Sequence, residues 1–338
     1  MNGRPQRLAV AGCGTAAFVI HLPLLTARPD FDVVAVHDRD PARAAAAARR
    51  FGIPAAATAE ELLRDADMLL VLTGFHDDLI AAGLAAGRHV FTEKPVTTDP
   101  ARTRALRQQA EAAGLLLEAG AMRACDPALH ALLTAVPDPA GGWLVKADGA
   151  DEAARRHALP SGLAPYTFDA DPPPVIPGGL DSRQAAALTT LLWEGYHLLT
   201  VLAVAVPEAC AATCAIDDAT RAVHATVTSP AGHLYSVVIG RAPDGTFTER
   251  ACLTGAGASA TLDFPPPYSG QSAALTTAGT TATGFADPFT CMWDQVSARL
   301  AAPASPSPSM ILAERVEQLA LGLARVTVPA ACQGTAHA

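Results

Sequence analysis

The chain is nearly without lysine. Of its 338 residues only Lys94 and Lys146 carry an ammonium, and every other basic side chain is arginine. Against that background a lysine points to ammonium chemistry, because it is a compact point charge whose pKa moves readily with its surroundings. Positive charge is scarce as a whole. The net charge of −9 argues against nucleic acid or an anionic membrane surface as a partner. Charged residues make up only 17% against 50% hydrophobic, the balance of a globular chain with a sizeable core and not of a disordered one. The seven cysteines form no CxxC pair, and Cys210 and Cys214 have no histidine or cysteine cluster to complete a metal site. An odd thiol count, with no secretory signal ahead of the strand-like run at Leu8, leads to the expectation of reduced thiols in the cytoplasm. The longest apolar stretch, residues 185–206, is interrupted by Glu194, Gly195 and His197, so a buried helix is expected there and not a membrane span.

What is present begins with a glycine loop. Leu8-Ala9-Val10-Ala11 reads as a strand and runs into Gly12-Cys13-Gly14-Thr15-Ala16-Ala17, with an apolar helix following toward Leu25. This is a G-x-G-x-x-A fingerprint between strand and helix. Gly12 permits the tight turn, Gly14 lets the backbone approach a pyrophosphate, and Ala17 packs the helix on the strand. Thr15 and Ala16 open that helix, where free N–H groups and the dipole favour an anion. Cys13 is expected to be a small buried side chain. A second strand, residues 33–37, ends at Asp38, placed to accept hydrogen bonds from a ribose 2′-hydroxyl. Its charge would repel a 2′-phosphate and favours NAD, while the neighbouring Arg39 keeps NADP open. Asp40-Pro41 then starts a helix as cap and first-turn proline.

Residues 68–72 read as the next buried strand, with Thr73 and His76 in the loop at its carboxyl end. His76 is placed either beside the cofactor or facing solvent. A helix stops at Gly87, and Arg88-His89-Val90-Phe91-Thr92-Glu93-Lys94-Pro95-Val96 follows. Val90 and Phe91 form a strand that ends in a carboxylate, an ammonium and a ring-locked proline, at the strand end where open α/β sheets bind their ligands. A surface turn with an ion pair is the plain alternative. A helix over residues 100–113 and a strand over 115–118 continue the alternation, which means a doubly wound parallel sheet of Rossmann type.

Gly12-x-Gly14, Asp38, the run from Gly87 to Pro95, and Met122-Arg123-x-x-Asp126-Pro127 occur in that order along the chain. Together they resemble the glucose–fructose oxidoreductase, inositol dehydrogenase and rhizopine-catabolism (Gfo/Idh/MocA) family, with Glu93-Lys94-Pro95 the most specific element. The resemblance implies that Lys94 sits near a nicotinamide and bonds the reacting oxygen, with Glu93 and Pro95 shaping the turn. It also implies a histidine in the helix over residues 181–206, where the family usually reads Asp-x-Gly-x-His. His197 matches that histidine, but Trp193 stands at the aspartate's place. Glu194 cannot simply substitute, since one residue is about 100° around a helix.

The second half is read as an α+β domain. After a helix over residues 127–135 and a strand over 143–147, residues 151–179 are rich in proline and form a long loop. Arg155, Arg156, His157 and Tyr166 are its candidate substrate contacts. Beyond Pro207 the alternation of apolar and polar residues predicts an antiparallel open sheet over 211–263, then helices over 288–300 and 309–325.

The expectation is a Rossmann domain over residues 1–123 and a substrate and oligomerisation domain over 124–338. NAD (NADP possible) lies on Gly12, Gly14, Thr15, Ala16, Asp38, Arg39, Thr73, His76, Glu93, Lys94 and Pro95. Lys94 and His197 are the catalytic candidates. Arg123, Tyr166, Trp193, Glu194 and Tyr196 are placed against a small-molecule substrate, a sugar, a cyclitol or a related metabolite, and no metal is expected. The resemblance further implies a homodimer or homotetramer through the open sheet. Two rivals stay open: reduction of an imine or conjugated bond (or redox-neutral use of a retained cofactor), and a cofactor-binding regulator that catalyses nothing.

Overall fold

Parallel strands buried on both faces need apolar runs. Those read from the sequence become β1 (Gln6–Ala11), β2 (Phe31–His37), β3 (Met68–Val71), β4 (His89–Thr92) and β5 (Leu117–Ala119). This computed structural model describes residues 4–329 except 75, 150–158, 161–162, 164–174, 243, 268 and 303–305. The five strands are parallel in the order β2-β1-β3-β4-β5. A lone parallel bridge joins Val36 to Ala55 on the far side of β2. It stands where the doubly wound order 3-2-1-4-5-6 has its third strand, here cut to a single residue. The strand order reverses between β1 and β3, and ligands of such sheets bind outside the carboxyl ends at that point.

The connecting helices follow one local rule. Helices α2 (Pro41–Phe51) and α5 (Pro100–Ala112) begin with an aspartate cap and a proline at the first turn. So do α6 (Pro127–Ala135) and α9 (Pro288–Ala301), and α10 (Pro308–Arg325) begins with a serine cap and a proline. In each, the cap oxygen takes an orphan N–H of the first turn, and proline loses nothing because its missing N–H had no partner there. The remaining helices of the first domain are α1 (Leu22–Thr26), α3 (Ala59–Leu63) and α4 (Asp77–Ala85). The helix expected to run smoothly to Leu25 instead starts as a π-helical segment, Ala17–His21, which carries His21 into the core.

A second, nine-stranded sheet follows. It comprises β6 (Pro139–Gly149), β7 (Cys210–Ile216), β8 (Val223–Thr228), β9 (Leu234–Ala242), β10 (Thr248–Gly255) and β11 (Ala258–Phe264). Three short strands join it, β12 (Ala274–Thr277), β13 (Thr280–Ala282) and β14 (Thr327–Pro329). The order is β13-β12-β11-β10-β6-β9-β8-β7-β14, antiparallel except for β6 with β9 and β7 with β14. The three short strands are polar and threonine-rich, too brief for an alternating pattern to show in the sequence.

The single helix expected over residues 181–206 is two. Helix α7 (Ser182–Trp193) and helix α8 (Tyr196–Ala205) meet at a bend of 76° around Glu194-Gly195. Among the described residues no single helix is long and apolar enough to cross a membrane. Both helices are mostly buried against the inner face of the second sheet, in one cluster with Leu144, Tyr235, Ile239 and Leu253. The chain's last two helices return to the first domain. Trp293 of α9 packs with Phe18, Phe91 and Met122, and Met310 and Ala313 of α10 pack with Val90, Val96 and Leu106.

Candidate active site

Lys94 follows β4, and the Lys94–Pro95 bond is cis. Three contacts hold this turn. Glu93 Oε2 accepts the Lys94 N–H at 3.1 Å, and Glu93 Oε1 lies 3.0 Å from His21 Nε2. Trp293 Nε1 donates to His21 Nδ1 at 3.2 Å, so the hydrogen-bond network assigns the proton of His21 to Nε2. Burial alone would raise the Glu93 carboxyl, but His21 and the adjacent Lys94 outweigh it and hold it below the usual range. The chain passes close here: a Cβ on Gly120 would lie 3.1 Å from Glu93 Oε1. The second contact is His76, whose ring nitrogens lie 2.5 Å from Thr73 O and 2.6 Å from Pro95 O. At 5% exposure His76 does not face solvent; it clamps the loop after β3 to the lysine turn. The third is Glu317 of α10, whose Oε1 accepts the Val96 and Thr97 N–H groups at 3.0 and 3.1 Å.

From this turn Lys94 reaches across to the second domain, and its Nζ donates to Trp193 O at 3.4 Å. The bend between α7 and α8 follows directly on that carbonyl. Burial pushes the Lys94 ammonium below its ordinary pKa, and the charge of Lys146 adds to the push, against Glu93, Glu194 and Glu249. His197 sits in the first turn of α8. Burial, then the charges of Lys94, Lys146 and Arg123, press its pKa well below the usual value. It is therefore a neutral imidazole at pH 7.

The chain's two lysines thus come to one place. Lys146 lies on β6, 4% exposed, directly across from Glu249 of β10. Its Nζ is 3.6 Å from Asp148 Oδ2 and 3.9 Å from Glu249 Oε2. Glu249 Oε1 accepts from Arg123 Nε at 3.0 Å, and Arg123 Nη1 donates to Asp126 at 3.2 Å. The Arg123 guanidinium lies 4.0 Å over the Phe264 ring. Lys146 and Glu249 were not among the residues expected at the site. The one signal for Lys146 was the rarity of lysine itself.

On the cofactor side Gly12 has φ +101°, and a Cβ there would lie 2.8 Å from Leu72 C, so β1 and β3 approach too closely for any side chain. A Cβ on Gly14 would meet nothing within 4 Å, which leaves open space over the loop. Asp38 Oδ2 accepts the Cys13 N–H at 2.7 Å and Oδ1 the Asp40 N–H at 2.8 Å, fixing the carboxylate at the end of β2. Thr15, Ala16 and Thr73 are half-buried nearby in sequence, and Arg39 is exposed. No side chain caps the helix start at Ala16. These features fit a dinucleotide lying along the loop with its ribose at Asp38. Cys13 is buried, and burial and Asp38 push its thiol up to about 12, so it is inert.

Several expected substrate contacts are placed elsewhere. Arg123 and Tyr196 are 2% and 1% exposed, held in the ion-pair network and the core. Glu194 pairs with Arg241 at 2.7 Å near the surface and does not stand in for the missing aspartate, as the helical geometry required. Trp193 offers its backbone carbonyl, while its side chain packs against the core. Arg155, Arg156, His157 and Tyr166 lie outside the described residues. A shallow depression lined by Met122, Arg123, Asp126, Pro266, Ser272 and Phe289 touches neither Lys94 nor His197. The convergence of side chains, not the shape of a cavity, marks the site.

Residues 6–121 match the model of an oxidoreductase family with an NAD-binding Rossmann fold. This segment belongs to the Gfo/Idh/MocA oxidoreductase family. Among curated relatives, a putative UDP-kanosamine synthase oxidoreductase subunit of Amycolatopsis mediterranei is 38% identical over 120 residues, 35% of this chain and 34% of that one. A dTDP-3,4-didehydro-2,6-dideoxy-alpha-D-glucose 3-reductase of Saccharopolyspora spinosa is 36% identical over 118 residues, 34% of this chain and 36% of the relative. The match thus spans about a third of the length of these relatives. Over the whole chain the fold is that of KijD10, a 3-ketoreductase from Actinomadura kijaniata solved with NADP. The TM-score is 0.74 at 20% identity, covering 96% of this chain and 98% of that one.

Proposed function

We propose that the protein is an NAD(P)-dependent oxidoreductase. It would transfer a hydride between nicotinamide and the hydroxyl or carbonyl carbon of a sugar, a cyclitol or a related metabolite, secondary metabolism included. The observation that carries this reading is the buried Lys94 at the carboxyl edge of the parallel sheet, bonded to the Trp193 carbonyl and with its charge acting on His197, beside a glycine turn open enough for a dinucleotide. Bound there, the cofactor supplies or accepts the hydride. Lys94 hydrogen-bonds the reacting oxygen and stabilises the negative charge that develops on it. Its lowered pKa brings its proton closer to the pH of reaction, which suits a general acid. His197 is neutral, so it accepts or relays a proton and is not the first donor. This revises the expectation that His197 exchanges the proton: burial, then the charges of Lys94, Lys146 and Arg123, disfavour its charged form.

The relatives' names support a sugar substrate, and Asp38 supports NAD, with NADP left open by the exposed Arg39. In this reading residues 1–123 hold the cofactor and 124–338 the substrate, in a cytoplasmic homodimer or homotetramer joined through the open sheet. The test is Lys94→Ala on the best substrate from a sugar and polyol screen. Turnover is expected to fall about a hundredfold or more, with NADH affinity kept within about threefold. Near-wild-type turnover with cofactor still bound would end the assignment. A second reading is favoured by Trp193 in place of the usual aspartate: reduction of an imine or conjugated bond, or redox-neutral use of a retained cofactor. Stereospecifically deuterated NADH separates it. Label lost to a carbonyl carbon supports the first reading; label regained by the cofactor each turnover supports the second.

A further inference from the structure

His21 is a buried histidine that the proposed reaction does not use. It ends the π-helical segment after the glycine loop, and its side chain is 0% exposed. Short π-helical insertions recur at functional sites, and the extra residue changes which way a side chain faces. Here the side chain turned inward is boxed by aromatic rings. Phe91 of β4 and Phe289 and Trp293 of α9 stand edge-on to the imidazole, with centroids at 5.7, 6.4 and 5.9 Å. Both ring nitrogens are spent: Nδ1 accepts from Trp293, and Nε2 donates to Glu93 Oε1. A carbonyl would satisfy a buried imidazole N–H equally well. This one instead takes the carboxylate of the residue before Lys94.

That carboxylate is the second observation. Glu93 and the buried Lys94 are adjacent in sequence and act on each other's charge, yet no ion pair joins them among the described residues. Opposite charges in a buried setting attract strongly, so their separation needs a cause. Glu93 Oε1 is held by His21, and Oε2 by the Lys94 backbone N–H at 3.1 Å. Behind it the chain leaves no room, since a Cβ on Gly120 would lie 3.1 Å from Oε1 and 3.2 Å from Cδ. The other groups that act on the Lys94 ammonium belong to the second domain. They are Lys146 of β6, Glu249 of β10 and Glu194 at the bend, while His197 of α8 feels the charge of Lys94 and Tyr196 that of Glu93. Among the described residues none of these bonds to Glu93, and His21 is the side chain that does.

We infer that His21 is a positioning residue for Lys94: by holding the Glu93 carboxylate through Nε2, it keeps that carboxylate off the Lys94 ammonium and leaves the ammonium to the reacting oxygen. This rests on the oxidoreductase reading and adds to it a role for a residue that touches neither cofactor nor substrate. Without His21 the carboxylate would turn to the nearest cation, Lys94. The ammonium would then be held in its charged form and its N–H groups spent on Glu93.

Asparagine and glutamine divide the imidazole between them. His21→Asn keeps a polar atom near Nδ1 for Trp293 and is too short for Glu93, whereas His21→Gln carries an amide N–H to the place of Nε2. The chain has two lysines, so side-chain NMR of lysine-labelled protein shows two signals, assigned by Lys146→Arg. On titration with pH, the Lys94 pKa is expected to rise by about 1 or more in His21→Asn and to stay within about 0.3 of the wild type in His21→Gln. The rise should vanish when His21→Asn is combined with Glu93→Gln. Turnover at pH 7 should fall about tenfold or more in His21→Asn and be kept in His21→Gln. His21→Leu takes the place of His21→Asn if that variant does not fold. No rise, an equal rise in His21→Gln, a rise that persists with Glu93→Gln, or turnover unchanged by the rise would overturn the proposal. Loss of cooperative unfolding in both His21→Asn and His21→Leu would also overturn it, by assigning His21 to the core alone. The lysine titration needs neither cofactor nor substrate, so it stands apart from the oxidoreductase reading, which falls separately if Lys94→Ala keeps wild-type turnover.

Discussion

Glu317 is a carboxyl group that the fold uses in its neutral form. It is fully buried on α10, and burial raises its pKa from 4.5 to about 8 in spite of the donors around it. Oε1 takes two backbone N–H groups, and Oε2 accepts from Thr103 Oγ1 at 2.5 Å, which is 2.8 Å from Thr97 Oγ1, which donates to Asp99 O at 2.7 Å. These donors lower the carboxyl pKa, and burial outweighs them. The folded state then holds a proton that the unfolded chain has lost, so stability is fully present below 4.5 and falls as pH rises through about 8. The loss across that window is on the order of 5 kcal/mol at most. Glu317→Gln keeps the same acceptor and donor, so its urea midpoint should be flat where that of the wild type declines. A wild-type midpoint that does not fall between those limits, or a variant with the same slope, would refute the neutral carboxyl. Nothing in the sequence marked this residue; it is one more acid in an amphipathic helix. Lys94 was legible because its motif is local, whereas Glu317 acquires its role from a turn more than two hundred positions away.

The same contrast holds for whole elements. The strands β1 to β4 and the proline-started helices were legible because burial on both faces and cap chemistry are written into adjacent residues. The bend between α7 and α8 was not, because its cause lies on another element. A Cβ on Gly195 would sit 2.3 Å from Ile239 Cδ1 and 2.9 Å from Leu191 O. Only glycine lets α8 approach β9 so closely, and the approach in turn presents Trp193 O to Lys94. Gly195→Ala should therefore act twice. Overpacking is expected to lower stability by about 1–3 kcal/mol in urea denaturation. Displacement of Trp193 O should lower turnover more than it weakens NADH binding. Ile239→Val removes the nearer of the two clashing atoms and should restore part of both in the double variant. Full wild-type stability in Gly195→Ala would mean that the bend is set elsewhere.

At the scale of the molecule the two ends of the chain make one site. Helices α9 and α10 cross back to the first domain, where Trp293 orders His21 and Glu93, Glu317 holds the turn after Lys94, and Ser307 and Ser309 donate to the buried Glu118. Helices α7 and α8 cover one face of the nine-stranded sheet. On the opposite face, among the described residues, Trp143 of β6 is 39% exposed and Leu234 of β9 is 60% exposed, on neighbouring strands and pointing the same way. Large apolar side chains on a broad sheet face mark a protein–protein contact more often than solvent does. A twofold contact would bring the same patch from each copy together. Trp143→Glu with Leu234→Glu alters residues that pack against no core, so the fold should survive with an unchanged unfolding midpoint. Light scattering at micromolar concentration should show the wild-type protein as a multiple of 34.6 kDa and the double variant as a single chain. The wild type running as a single chain would remove the sheet from any assembly. A double variant that keeps the wild-type mass would move the contact to another surface, and the carboxylates now standing on the bare face would show which surface it is not.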